Sequence, residues 1–163
     1  MTTMDTPAIH AHPTSVQTAR DLTLLLGRVG LAVLMIAHAK LEYDYGGSIA
    51  GVGRLFEQAG VPLAALTGPA NLLLEAIGGV ALILGLAVRA IGVLMALNML
   101  GAWVLVHTTA LYAADHTGPE TVIAIGLLSL VLAGTGSGRF GLGHLIAHRR
   151  ARRPSSRAAT STD

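Results

Sequence analysis

Three ionisable side chains, Arg28, Glu75 and His107, lie inside three separate apolar stretches of the sequence. Charged groups are costly in hydrocarbon, so within a membrane they usually face a bundle interior and mark a functional site or an internal pair. From the rise of an α-helix, Arg28 and Glu75 lie at depths that an arginine side chain can bridge. We therefore predict a buried Arg28–Glu75 ion pair, with Asn71 one turn from Glu75 on the same face. Such a pair either serves the function or only fixes the helix register.

A second polar group is predicted at the outer end of the same stretches. His38 and Lys40 end the first stretch, His107 lies near the end of the third, and Glu120 opens the fourth. Histidine titrates near neutral pH, so these ligand or proton-relay candidates suit proton transfer or the binding of an anion or a quinone carbonyl. The alternative is a hydrated rim with Lys40 extended toward water. The loop before the fourth stretch adds Asp115 and His116.

Imidazole and carboxylate groups of this kind also suit zinc or iron. No two of the candidates His38, His107, His116 and Glu120 are four residues apart on one helix, so the sequence predicts no metal site. The chain has no cysteine, which excludes disulfide exchange, thiolate nucleophiles and iron–sulfur clusters. A redox role would therefore need a bound cofactor or a partner that carries the electrons.

Residues 136–141 match the G-x-G-x-x-G pattern of dinucleotide-binding folds. The pattern owes its mechanism to a strand before it and a βαβ unit around it, whereas here it follows an apolar helix. We interpret it as an exit turn and predict no nucleotide site.

The elements that must position these residues are apolar helices. The composition is 52% hydrophobic and 12% charged, whereas soluble domains carry roughly 25% charged residues. Apolar stretches at about 21–39, 62–86, 89–112 and 119–136 approach the length needed to cross a bilayer. Sustained alternation is missing, which disfavours an outer-membrane barrel. We predict an all-α, four-helix transmembrane bundle over residues 20–142, a disordered N-terminal tail over 1–19 and a basic C-terminal tail over 143–163.

Basic residues predict the orientation of the bundle. Arg20, Arg89, Arg139 and the arginine-rich tail flank one set of ends, and the other two connections are acidic on balance. Positive flanks stay in the cytoplasm, so both termini are predicted to be cytoplasmic. This topology explains the basic tail without nucleic-acid binding. A signal peptide cleaved after residues 37–39 is an alternative, which Arg28 within its apolar region disfavours. The long connection over 41–61 is predicted to hold a short interfacial helix at 54–57.

Several short motifs follow one another in a fixed order along the chain. They are Gly27-Arg28, His38-Ala39-Lys40-Leu41, Gly60-Val61-Pro62, residues 75–79, residues 85–89, His107, Gly118-Pro119-Glu120 and residues 136–139. Over about 22–142 this series resembles the DoxX family of small four-helix bacterial membrane proteins. Ala39, where the family often has glycine, and residues 140–143, where it often has Ser and Leu-Asp, depart from the pattern.

The resemblance implies a membrane bundle linked to redox processes, because relatives are described as components of thiosulfate:quinone oxidoreductase or as partners in oxidative-stress complexes. We therefore predict a multi-pass protein of the bacterial inner membrane, in contact with the lipid bilayer, that binds quinone or docks a soluble or membrane oxidoreductase. Any part in catalysis would be that of a quinone-binding subunit. Two alternatives stay open: a small transporter of protons or an organic anion, and a structural anchor for a soluble enzyme. The sequence does not indicate an oligomeric state.

Overall fold

Helices form all the regular structure in the computed structural model, which describes residues 13–108, 111 and 118–143. In chain order these helices are α1 (Pro13–Gly46), α2 (Ile49–Gln58), α3 (Ala64–Leu84), α4 (Val88–Leu105) and α5 (Glu120–Thr135). Three of them, α1, α3 and α4, are long and apolar enough to cross a membrane, and α5 is a shorter apolar helix. The all-α prediction is confirmed within the described residues, whereas a bundle of four spans stays a prediction.

The first helix, α1, is longer than predicted at both ends. It begins at Pro13, inside the segment predicted to be disordered, and continues past Ala39 to Gly46. Its 34 residues correspond to a length of about 51 Å, well beyond a hydrocarbon core of about 30 Å. Gly47, in the left-handed conformation with φ of 66°, reverses the chain after α1. The predicted first connection is therefore much shorter than the sequence suggested.

The remainder of that connection is α2, which packs against both α1 and α3. Val52 is fully buried in a small cluster with Ala39 of α1 and Leu72 of α3. Glycines allow the close approach of α2 and α3, since a Cβ atom built on Gly68 would lie 2.8 Å from the Cα of Gly53. The helix predicted at residues 54–57 is thus the second half of α2, and α2 fills the space between two long helices.

A larger apolar core joins α1, α3, α4 and α5. Its buried members are Leu31, Ala32, Met35, Leu82, Val88, Ile91, Met95, Met99 and Leu132. Small residues bring the helices close together. A Cβ atom on Gly92 of α4, for example, would lie 2.7 Å from the carbonyl oxygen of Ser129 on α5. Large apolar side chains such as Leu34, Leu97 and Leu130 face outward, as expected for helices in contact with lipid.

One end of the bundle collects the start of α1, the α3–α4 turn and the segment after α5. The Gly143 amide donates a hydrogen bond to the Gly85 carbonyl (3.2 Å), and the Arg139 amide donates to the Asp21 carboxylate (3.4 Å). Gly136 lies beside the Arg89 side chain. The basic flanks therefore share one end, as the topology prediction requires. That this end is cytoplasmic stays a prediction.

Candidate functional site

Two pairs of polar residues face each other across the contact between α1 and α3. His38 and Glu42 are four residues apart on α1, and Asn71 and Glu75 are four residues apart on α3. Residues at this spacing lie on the same face of a helix. Because the two helices are antiparallel, His38 meets Glu75 while Glu42 meets Asn71. We call these four residues the α1–α3 cluster.

Short distances link the members of the α1–α3 cluster. The Nδ1 atom of His38 lies 2.8 Å from Oε2 of Glu75 and 3.9 Å from Oε1 of Glu42. The Asn71 side-chain amide donates hydrogen bonds to both oxygens of Glu42, at 3.0 and 2.9 Å. Asn71 thereby fixes the orientation of the Glu42 carboxylate, and both carboxylates are turned toward one imidazole nitrogen.

Burial within the cluster is uneven. The Glu75 side chain is only 1% exposed, and its second oxygen, Oε1, has no hydrogen-bond partner among the described residues. The His38 side chain is 51% exposed. Because Nδ1 faces the carboxylates, the other ring nitrogen, Nε2, is on the more accessible side. The cluster therefore combines a buried carboxylate with a histidine that a ligand from outside the bundle can reach.

The cluster lies about halfway along α3. Glu75 is near the middle of α3, about 15 Å along the helix axis from Gly85 at the α3–α4 turn. His38 lies about 12 Å below the end of α1 at Gly46. A membrane that covers α3 thus places the cluster near its midplane, where polar groups most often serve ligand or ion binding.

Arg28 contacts backbone carbonyls instead of the predicted Glu75. Its Nη1 donates to the Ser137 carbonyl at 2.9 Å and its Nη2 to the Phe140 carbonyl at 3.4 Å. The predicted Arg28–Glu75 ion pair is wrong. The Arg28 guanidinium lies beside Gly85, about 15 Å along α3 from Glu75, and an arginine side chain cannot bridge that distance. Both groups are buried as predicted, at 1% exposure each, but with different partners.

These contacts also explain the G-x-G-x-x-G segment. Gly136 and Gly138 have positive φ angles of 78° and 61°, and the turn they form presents two carbonyl oxygens to Arg28. Carbonyl oxygens accept hydrogen bonds, so the segment holds the guanidinium group of Arg28 from the same chain. This agrees with its interpretation as an exit turn.

The predicted outer group is divided in the structure. Lys40 forms an exposed ion pair with Asp44 on its own helix, while His38 joins the α1–α3 cluster. His107, just beyond α4, and Glu120, the first residue of α5, lie where these two neighbouring helices meet the α4–α5 connection. Each of these two residues has an interaction partner in the structure. Asp115 and His116 lie outside the described residues.

Glu42 is the member of the cluster that the sequence interpretation missed. The predicted connection begins at Leu41, so the prediction does not place His38 and Glu42 on one helix. A continuous α1 makes it an i, i+4 pair opposite Asn71 and Glu75. The signal was present in the sequence, but it depended on where α1 ends.

An apolar groove of about 250 Å³ lies between α4 and α5. Met99, Trp103 and Ile123 contribute to its lining, in which no ionisable side chain takes part. Such a groove can hold a hydrocarbon chain but offers no charge for a polar head group.

The charges of the cluster are not balanced by arginine or lysine. Among the described residues, neither Glu42 nor Glu75 has such a side chain within ion-pair distance. Two carboxylates next to one imidazole can take up a proton or hold a cation. Either event would reduce the net negative charge of the cluster in a water-poor environment.

Residues 23–108, just over half of the chain, match the family model described as DoxX. The matched range contains α2, α3, α4 and all four residues of the cluster. No curated protein and no solved structure matches the chain.

Proposed function

Because the chain belongs to the DoxX family, we propose that this membrane protein is a subunit of a redox or oxidative-stress system in the bacterial inner membrane and binds quinone through His38 and Glu75. The observation that carries the proposal is the 2.8 Å contact between a half-exposed histidine and a buried carboxylate. An oxidoreductase partner would supply or accept the electrons, since the cysteine-free chain has no side-chain redox centre of that type.

The chemistry of the pair supports this proposal. Quinones dissolve in the bilayer, and a membrane that covers α3 would let such a molecule approach the half-exposed His38 from the side. With Nδ1 of His38 directed at Glu75, Nε2 of the protonated imidazole can donate a hydrogen bond to a quinone carbonyl oxygen. Quinone reduction takes up protons, and a histidine hydrogen-bonded to a carboxylate is a common arrangement for passing them.

Quinone titration of the protein in nanodiscs, after chelator treatment, tests the proposal. Binding of a short-chain ubiquinone or menaquinone is measured as its retention by protein-loaded nanodiscs over protein-free nanodiscs. We expect His38→Ala and Glu75→Gln each to raise the Kd at least about tenfold, the effect of losing roughly 1.4 kcal/mol.

His107→Ala is the matched control, because the sequence makes His107 a ligand candidate as well, whereas the structure places it beyond α4 and outside the cluster. A Kd within about twofold of wild type, well under the tenfold that 1.4 kcal/mol represents, is expected for this control. Equal quinone binding by wild type, His38→Ala and Glu75→Gln would reject quinone binding at the cluster. A weaker Kd in His107→Ala alone would move the site to the α4–α5 connection.

A further inference from the structure

Three side chains of the α1–α3 cluster present potential metal ligands to one point. The nearest ligand atoms of His38, Glu42 and Glu75 all lie within 4.8 Å of one another. We propose that these residues bind one divalent first-row transition-metal ion, with His38 Nδ1 and one oxygen from each carboxylate as ligands. The sequence did not predict a metal site, because α1 was expected to end before Glu42.

The distances fit an ion at the centre of the three groups. Bonds of about 2.1 Å to nitrogen and oxygen place two ligand atoms roughly 3.0–3.4 Å apart in octahedral or tetrahedral geometry. The separations from His38 Nδ1 are 2.8 Å to Glu75 and 3.9 Å to Glu42. All three ligand atoms lie within 4.8 Å of one another, so combined side-chain shifts of up to about 1.5 Å would bring both carboxylates and the imidazole into coordination.

A second and independent observation is the unpartnered Oε1 atom of Glu75. This residue is 1% exposed, and its Oε1 atom accepts no hydrogen bond from any described residue. A buried acceptor without a partner is costly, and an ionised one more so. A cation at the cluster would satisfy the carboxylate as a whole, through one oxygen or through both.

Charge leads to the same conclusion. Arg28 is occupied by the carbonyls of Ser137 and Phe140, and Lys40 by Asp44. Metal coordination requires the carboxylates ionised and the imidazole neutral, and in that state the three groups carry two negative charges. A divalent cation neutralises this total, whereas protonation of His38 would neutralise only half of it.

The ligand set restricts the ion. Nitrogen together with carboxylate oxygen suits Zn²⁺, Fe²⁺ and Mn²⁺, and the lack of thiolate ligands disfavours copper(I). Three protein ligands leave at least one coordination position for another molecule. Asn71 donates to both oxygens of Glu42, and outer partners that orient a ligand in this way strengthen metal binding.

Metal titration of the full-length chain in nanodiscs tests the proposal without quinone. The chelator-treated protein is titrated with Zn²⁺ or Mn²⁺ alone, and binding is followed by elemental analysis after desalting and by the Mn²⁺ electron paramagnetic resonance signal. We expect one equivalent per chain. Asn71→Leu should lower the affinity about 10–100-fold, and Glu42→Gln or Glu75→Gln should lower it further.

Glu57→Gln is the matched control, because Glu57 is an exposed glutamate on α2 and should retain wild-type affinity. Glu42→Gln keeps the test decisive if Glu75→Gln fails to fold, since Glu42 is less buried. Less than about a tenth of an equivalent in wild type, or equal binding by wild type and the cluster variants, would overturn the metal site. The metal site and the quinone site share residues, but the two proposals can be rejected separately. The quinone titration uses chelator-treated protein, and the metal titration uses no quinone.

Discussion

Arg28 is a buried cation whose polar partners, among the described residues, are backbone carbonyls and not carboxylates. Its guanidinium group carries several N–H donors in a planar fork, and two of its nitrogens reach separate carbonyl oxygens after α5. These contacts join residues 109 and 112 positions apart in sequence. Arg28 therefore holds the chain beyond α5 against the start of the bundle, a role that the apolar context of Arg28 alone does not reveal.

We expect Arg28→Leu to lower the free energy of unfolding by about 2–3 kcal/mol, since hydrogen bonds from a charged donor contribute about 1.5–3 kcal/mol. The effects of Arg28→Leu and Glu75→Gln should add within about 0.5 kcal/mol, because the two sites are well separated. Chemical unfolding of the purified single and double variants in one detergent measures both quantities. Arg54→Leu, an exposed position on α2, is the control. A coupling energy above about 1 kcal/mol would restore the Arg28–Glu75 ion pair.

The helices differ in how well the sequence predicted them. The predicted spans 62–86 and 119–136 agree closely with α3 and α5, because long apolar runs bounded by proline and glycine have clear ends. The span 89–112 begins within a residue of α4 but extends beyond its end at Leu105. α1 was predicted far too short, because its last turns carry charged and tyrosine residues that resemble a connection.

This difference explains what could be predicted of the site. His38, Asn71 and Glu75 were recognised individually, since polar residues beside apolar runs are conspicuous. Their partners depend on helix ends and on the register between α1 and α3, neither of which hydropathy determines. Glu42 was missed because the end of α1 was placed too early. Arg28 was paired with Glu75 because the register between α1 and α3 was not known.

At the scale of helix pairs, Gly92 controls the approach of α4 and α5. An added methyl group would lie 2.7 Å from the Ser129 carbonyl oxygen, and backbone atoms cannot yield as a flexible side chain can. We expect Gly92→Ala to destabilise the protein by about 1–3 kcal/mol, as overpacking commonly does. Thermal unfolding followed by circular dichroism measures the change.

The matched control for this prediction is Gly101→Ala on the same helix. A Cβ atom at Gly101 meets nothing within 4 Å, so this variant should gain up to about 1 kcal/mol from the higher helix propensity of alanine. Equal stability of the two variants would show that α4 and α5 do not pack through Gly92.

At the scale of the whole molecule, the two ends of the bundle differ in structure. One end is closed by the Gly85 turn and the segment after α5, which are hydrogen-bonded to each other. The opposite end contains the end of α1, and α2 returns from it along α3. The α1–α3 cluster lies between these ends, so α1 must cross the membrane for the cluster to lie at its midplane.

Cysteine labelling tests this crossing directly, because the native chain contains no cysteine. Val16 and Tyr45 lie toward opposite ends of α1 and are 72% and 76% exposed. In intact spheroplasts, a membrane-impermeant maleimide should label Tyr45→Cys, whereas Val16→Cys and Arg139→Cys should react only after lysis. The reverse pattern would keep the crossing but contradict cytoplasmic termini. Labelling of both Val16→Cys and Tyr45→Cys without lysis would mean that α1 does not span, which would remove the membrane-depth argument for the cluster.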